Sequence, residues 1–197
     1  MRRTQQERSD ATRAALIKAA RDLFGVRGYH DVPAEEITRT AGVTRGALYH
    51  HFGDKLGLFR AVVEVVEREL TAEVSEVLDN APDPLSGLSG ALGVFLDACL
   101  RPDVRRISLT DAPAVLGWDA WRELEAEYGL GLVADHLTAA RDAGLIVDTP
   151  VDALAQLVLA TVMEAARMIA NADEPDRVRG DVQQVFAGWL GGLLRTA

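Results

Sequence analysis

The hydrophobic period of this chain is helical from one end to the other, and that leaves almost nowhere for a strand. Apolar residues recur at spacings of three and four, and almost no segment alternates between apolar and polar. A chain of 197 residues with 48% hydrophobic content is long enough to bury a core, as one domain or two. The fold class that follows is all-α.

Punctuation residues place the helices. Leu16, Ala20, Leu23 and Phe24 share one side of a first helix over about 10–26, which Gly28 is placed to end in the left-handed conformation. Pro33 falls in the first turn of a second helix. Asp54 can cap a fourth, whose stripe Leu56, Phe59, Val63, Val66, Leu70, Val74, Val77 is longer than a small head needs. Asn80-Ala81-Pro82-Asp83-Pro84 is the clearest boundary. Beyond it come a helix over about 85–100, an irregular and partly helical stretch over 102–116, and a helix over about 118–143 with a break near Gly129–Gly131. Thr149-Pro150-Val151-Asp152 opens a helix over 151–170, with the Thr149 hydroxyl as its cap, and Glu174-Pro175-Asp176 opens a last one to about Arg195. The chain thus reads as about nine helices: a head at 10–60, a connecting helix at 61–80 and a body at 81–197.

Within the head, Ile37–Lys55 (ITRTAGVTRGALYHHFGDK) has the pattern helix, glycine turn, short helix. Ile37 and Ala41 lie one turn apart, Gly42-Val43 interrupts, and Thr44 can cap a helix with Leu48 and Phe52 inward. Its outward residues are Arg45, Tyr49 and His50, and a short supported helix that presents donors suits a DNA major groove. The charge distribution agrees. Residues 1–60 carry a net +4 and the remainder −13, so a basic head sits on an acidic body.

The lone Cys99 excludes an intramolecular disulfide and a cysteine-rich zinc site, and its apolar surroundings predict a buried thiol. His50 and His51 are adjacent on a helix, about 100° apart with no third ligand near, which argues against a metal. MRRTQQERSD is polar and leads into no apolar segment, and no uninterrupted apolar run reaches the ~18 residues of a membrane span, so a cytoplasmic protein is expected. The sequence has no Ser/His/Asp order, glycine-rich phosphate loop or metal set to support an enzyme, and no cofactor is expected. A helical protein-interaction module that no longer binds DNA, or a helical enzyme with an attached head, are the alternatives; the basic head argues against the first. In the last helix Val178, Val182, Val185, Trp189 and Leu193 form one stripe that Phe186, Leu190 and Leu194 widen. The preceding helix is apolar on more than one face through Leu154, Leu157, Val158, Val162, Met163, Met168 and Ile169, with Gly188, Gly191 and Gly192 permitting close approach. These two helices predict a two-fold four-helix interface between two copies.

Phe24-Gly25-Val26-Arg27-Gly28-Tyr29, then Ile37, then Ala41-Gly42-Val43-Thr44-Arg45-Gly46-Ala47-Leu48-Tyr49-His50-His51-Phe52, then Lys55 and Leu58, resemble the TetR family of bacterial transcriptional regulators over about residues 10–60. Asp111-Ala112-Pro113 to Trp118 is similar to actinobacterial members. The resemblance implies a homodimeric repressor on a pseudo-palindromic double-stranded operator, with the helix-turn-helix at about 33–52 and a body that binds an unknown small molecule. It implies DNA contacts from Thr44, Arg45, Gly46, Ala47, Tyr49, His50, His51 and Lys55. Among these Arg45 suits a guanine, Gly46 and Ala47 permit close approach, Lys55 suits phosphate, and His51 packs within the head or touches DNA with equal warrant. For the ligand pocket the candidates are Phe95, Cys99, Trp118, Trp121, Tyr128, His136, Met163, Glu164 and Arg167, with Asp97 and Glu164 as carboxylates that would favour a cation. Three features depart from the family pattern: Thr38 in place of a small residue, Pro33-Ala34 in place of a hydroxyl cap, and Gly57, which is expected to weaken the first turn of the fourth helix.

Overall fold

The computed structural model describes residues 4–194, and every element of length among them is helical. In chain order they are α1 (Gln5–Arg27), α2 (Ala34–Thr40), α3 (Arg45–Phe52), α4 (Lys55–Asp79), α5 (Pro84–Ala98), α6 (Pro102–Val104), a π-helical segment (Arg105–Asp111), α7 (Ala112–Leu116), α8 (Trp118–Asp142), α9 (Val151–Ala170) and α10 (Pro175–Gly191).

The helix ends follow from identifiable caps, and several differ from the sequence expectation. α1 starts five residues before Asp10 because Thr4 and Glu7 form a capping box: Glu7 N donates to Thr4 Oγ1 at 3.2 Å and Thr4 N donates to Glu7 Oε2 at 2.7 Å. Gly28 does have a positive φ of 81°, but its ψ of 168° is extended and not left-handed helical. Pro33 is the residue before α2 and not part of its first turn. Thr149 makes no cap, since α9 begins directly after Pro150 with no side-chain hydrogen bond. α8 runs unbroken through Gly129–Gly131. α10 ends at Gly191, and the expected end at Arg195 lies outside the described residues.

The contacts gather the chain into two compact units, divided elsewhere than at residues 60 and 80. One unit runs to Val66 and takes in Pro102–Trp121; the other holds Glu67–Arg101 and the chain from Arg122 onward. Long polar reach across α1 explains why 102–121 joins the first unit. Arg21 Nη2 lies 2.9 Å from Asp103 Oδ2, Tyr29 N donates to Asp111 Oδ2 at 2.6 Å, and Arg106 Nη2 donates to the Arg27 carbonyl at 3.3 Å. The core of this unit is Leu16, Ala20, Phe24, Val32, Ile37, Leu48, Leu58 and Phe59, all fully buried. The Phe24 and Phe59 rings meet edge-on at 5.4 Å, and Tyr29 packs on both.

The second unit packs α5, α9 and α10 with the body portions of α4 and α8. One of its clusters joins Leu137, Ala140, Ile146, Leu154, Ala155 and Val158. The stretch after α8 returns beside the end of α10, where Val147 N donates to the Leu193 carbonyl at 3.0 Å. α9 is long and apolar enough to cross a membrane by length and composition, with a mean hydropathy of 1.5 over its best window, a test that the count of uninterrupted apolar residues did not register. Its buried side (Leu154, Ala155, Val158, Leu159, Ala166, Ile169) packs into this unit, as a core helix does.

Candidate nucleic-acid interface and effector cavity

The reading helix α3 is set by one hydroxyl and one leucine. Thr44, extended at φ −80° and ψ 157°, accepts a hydrogen bond from Ala47 N at 3.3 Å, and Leu48 is fully buried one turn on. The turn before it depends on Gly42, whose φ of +68° suits glycine, and closes with Val43 N donating to the Thr38 carbonyl at 3.0 Å. Thr38 is buried without loss of packing, because its hydroxyl donates to the Glu35 carbonyl at 3.0 Å. Gly57 has a positive role too. A Cβ there would collide with the Phe52 carbonyl oxygen, so glycine lets α4 start against the end of α3, and Gly57 N donates to the capping Asp54 at 2.7 Å.

With Leu48 inward, Thr44, Arg45, Gly46, Tyr49 and His50 are exposed on α3 and its cap, and Ala47 is half-buried. Arg45 Nη1 lies 2.9 Å from Glu35 of α2 and its Nη2 donates to Tyr49 Oη at 3.0 Å, so the guanidinium is held over the outward face. Glu35 is the partner that sequence spacing did not single out. Phe52 is half-buried and not enclosed; the Arg13 guanidinium stands 5.4 Å from its ring centroid. His51 is half-buried between the His50 and Phe52 rings, at 5.1 and 6.2 Å. No group of His, Cys, Asp and Glu among the described residues could hold a metal. Lys55 places its ammonium 4.0 Å from the Tyr29 ring centroid, and partial burial lowers its pKa against a counteracting pull from Asp31.

In the second unit α4, α5, α8, α9 and α10 surround a partly open, apolar cavity, the kind of concave site that takes small molecules. Leu70, Val74 and Leu78 of α4 face Leu88, Leu92 and Phe95 of α5. Tyr128 and Leu132 of α8, Val162 and Met163 of α9, and Phe186 and Leu190 of α10 complete the apolar wall. Glu67, Thr71, Glu125 and Tyr128 are its polar residues.

Of the nine pocket candidates, the cavity takes in Phe95, Tyr128 and Met163. Cys99 is fully buried outside its lining; burial, then the charges of Glu125 and Glu67, push its thiol up to about 12 against an opposing effect of Arg101. Trp118 is 53% exposed and Trp121 buried, their rings 4.9 Å apart, and both group with the first unit. His136 is tied to the Leu132 carbonyl by a 3.0 Å contact from Nδ1. Glu164 and Arg167 are exposed on α9 and pair with each other at 2.6 Å. Asp97 pairs with Arg179 at 2.7 Å. The carboxylates that do face the cavity, Glu67 and Glu125, passed unnoticed in sequence because each sits in a run of charged and apolar residues typical of a solvated helix face.

A capped, outward-facing third helix on a basic head, followed by a helical unit built around an apolar cavity, defines the class: a helix-turn-helix DNA-binding protein with a separate helical unit. Residues 16–62 match the family model described as bacterial regulatory proteins, tetR family, and residues 85–193 match a tetracyclin repressor-like C-terminal domain. The chain belongs to the TetR family of DNA-binding transcriptional regulators. A crystal structure of a TetR-family transcriptional regulator from Pectobacterium atrosepticum is 34% identical, covers 98% of this chain and 99% of its own, and superposes with a TM-score of 0.89. The transposon Tn10 TetC protein of Escherichia coli is 26% identical over 96% of this chain and 95% of its own length. The HTH-type transcriptional regulator AcrR of Shigella flexneri is 36% identical over 54% of this chain, a match that spans about half (49%) of the AcrR length. RolR solved with resorcinol shares the fold, with a TM-score of 0.70 at 23% identity over 92% of this chain and 90% of its own.

Proposed function

We propose that this protein is a repressor that works as a homodimer in the cytoplasm, occupies a pseudo-palindromic operator and leaves it when a small molecule fills the cavity of the second unit. The observation that carries the reading is α3: Leu48 anchors it while Arg45, Tyr49 and His50 remain outward. Thr44, Arg45, Gly46, Ala47, Tyr49, His50, His51 and Lys55 form the DNA surface, with Arg45 on a base edge and Lys55 on phosphate. α4 supports coupling, since one helix starts at Lys55 in the head and contributes Leu70, Val74 and Leu78 to the cavity. A ligand that binds one conformer more tightly shifts the spacing of the two heads away from successive major grooves. RolR, whose structure was solved with resorcinol, is a precedent within the fold for a bound small molecule.

The dimer face is the outer side of α9 and α10. Leu157 is 61% and Val185 71% exposed, Met168 and Leu194 are exposed as well, and Gly188 and Gly191 leave open space for a facing helix. Mass measurement at micromolar concentration is expected to give twice the chain mass; a monomer removes this face as the interface. Titration onto the DNA upstream of its own gene is expected to give a sequence-specific shift that weakens steeply with salt, and a shift that is absent or indifferent to sequence overturns the repressor reading.

A further inference from the structure

The cavity is elongated along its helices, because α4 and α8 line it with whole stripes. On α4 the lining falls at Glu67, Leu70, Thr71, Val74 and Leu78, one face of the helix over about 16 Å at a rise of 1.5 Å per residue. On α8 it runs from Glu125 through Tyr128 and Leu132 to Leu137, about 18 Å by the same count. α9 and α10 enter over little more than one turn each, from Val158 to Met163 and from Phe186 to Leu190. α5 fixes the two ends. The Cβ position of Gly87 near its start lies 3.6 Å from Leu78, whereas Cys99, its C-cap, has a thiol raised by burial and then by Glu125 and Glu67. Glu67, Thr71, Glu125 and Tyr128 therefore gather toward the Cys99 end, and apolar side chains line the rest.

This lining selects against net charge. Among the described residues it contains no Lys, Arg or His. An anion entering it would leave its hydration shell and gain no cation in return, a far larger loss than that of a hydroxyl. Glu67 and Glu125 do not stand ready for a cation, since each already interacts within the protein. A single uncharged polar group needs no counter-ion. The hydroxyls of Thr71 and Tyr128, one turn in from the two glutamates, can each donate and accept a hydrogen bond.

We propose that the effector is an uncharged, straight-chain amphiphile, its tail extended along α4 and α8 and its one hydroxyl or carbonyl head beside Thr71 and Tyr128. The inference rests on the ligand-released regulator reading and names the chemistry and shape of its ligand. Burial of the tail against leucine and valine supplies the affinity, about fourfold for each methylene taken from water. The head adds orientation, since only one end of the cavity offers hydrogen-bonding side chains.

Four probes decide it, titrated calorimetrically into the full-length protein at pH 7: 1-decanol, decanoate, decylammonium and cyclodecanol. The first three share a tail and differ in the charge of the head; the fourth keeps the hydroxyl and closes the tail into a compact ring. The expected result is one decanol per chain, bound at least tenfold more tightly than either ion and several-fold more tightly than cyclodecanol. Thr71→Val combined with Tyr128→Phe should weaken decanol several-fold. Equal or tighter binding of either ion overturns the uncharged head, and equal or tighter binding of cyclodecanol overturns the extended tail. Several decanol molecules per chain, with no loss in the double variant, would mean partition onto apolar surface and overturns the proposal. Failure of all four probes to bind overturns it as well. Should the double variant lose cooperative melting, the four-probe comparison on the unaltered chain still decides. Release of operator DNA is read separately. Binding of decanol without release leaves this inference standing and removes the ligand-released repressor, whereas sequence-specific DNA binding with no decanol bound removes this inference alone.

Discussion

The head and the body of this protein solve opposite packing problems. The head is filled: Phe24, Ile37, Leu48, Leu58 and Phe59 have no exposed surface, and the polar groups that shape α3 act over one turn. The body keeps a partly open apolar cavity among five helices and places two buried glutamates, Glu67 and Glu125, on its wall. A surface that must match a groove needs a rigid support, whereas a site that must accept a ligand keeps room and polar groups that a tighter core would exclude. The contrast separates what can be mutated without consequence in each part.

The largest expected effect tests the filled head. Phe24→Ala removes a ring packed against Tyr29 and Phe59 and should cost about 3–5 kcal/mol of stability, with DNA binding lost alongside. Urea unfolding measures it; a loss below ~1 kcal/mol would mean that the head is no better packed than the body. Next comes Arg45→Ala, which should cost ~1–3 kcal/mol of binding and relax preference at one operator position without changing the melting temperature. Lys55→Ala should instead weaken all sequences alike and lower the salt slope by about one. Equal losses at every sequence for both variants would overturn the division between base and phosphate contacts.

The body is tested through Cys99. Its folded thiol keeps its proton up to about 12, while an unfolded one releases it near 9. Between those values the folded state binds more protons, so stability falls as pH rises through that window and is unaffected by this group below it, with a limiting slope of about 1.4 kcal/mol per pH unit. Urea midpoints from pH 8 to 10.5 should drop more steeply for the unaltered protein than for Cys99→Ala; parallel curves would show that the thiol is not enclosed. The smallest effect belongs to the cap of α3. Thr44→Ala should cost about 1 kcal/mol, and Thr44→Ser almost nothing, measured by thermal melting.

The same contrast explains what the sequence disclosed. Thr44, Leu48 and the Asp54 cap were legible because each acts within one turn, where spacing alone fixes the partner. The reason for Gly57 was not legible, since it is the Phe52 carbonyl that approaches across the turn and leaves no room for a Cβ. The cavity was legible only at Phe95, Tyr128 and Met163 because its wall is assembled from five helices, and no single period marks which side of each faces inward. Trp118 and Trp121 belong to the other unit, whose 102–121 segment is held by Arg21 of α1 through Asp103 and by the Tyr29 backbone through Asp111. Glu67 and Glu125 differ from their solvated neighbours only by tertiary burial.

The most direct measurement of the central claim is a footprint of the unaltered protein on its own upstream DNA, repeated with Arg45→Ala. Two protected half-sites related by an inverted repeat, with centres about one helical turn or a whole number of turns apart, are predicted, and the variant should lose discrimination at one symmetry-related base pair in each. Protection of a single site without symmetry, or a variant that reads the same sequence as the parent, would contradict a dimer that reads DNA through α3.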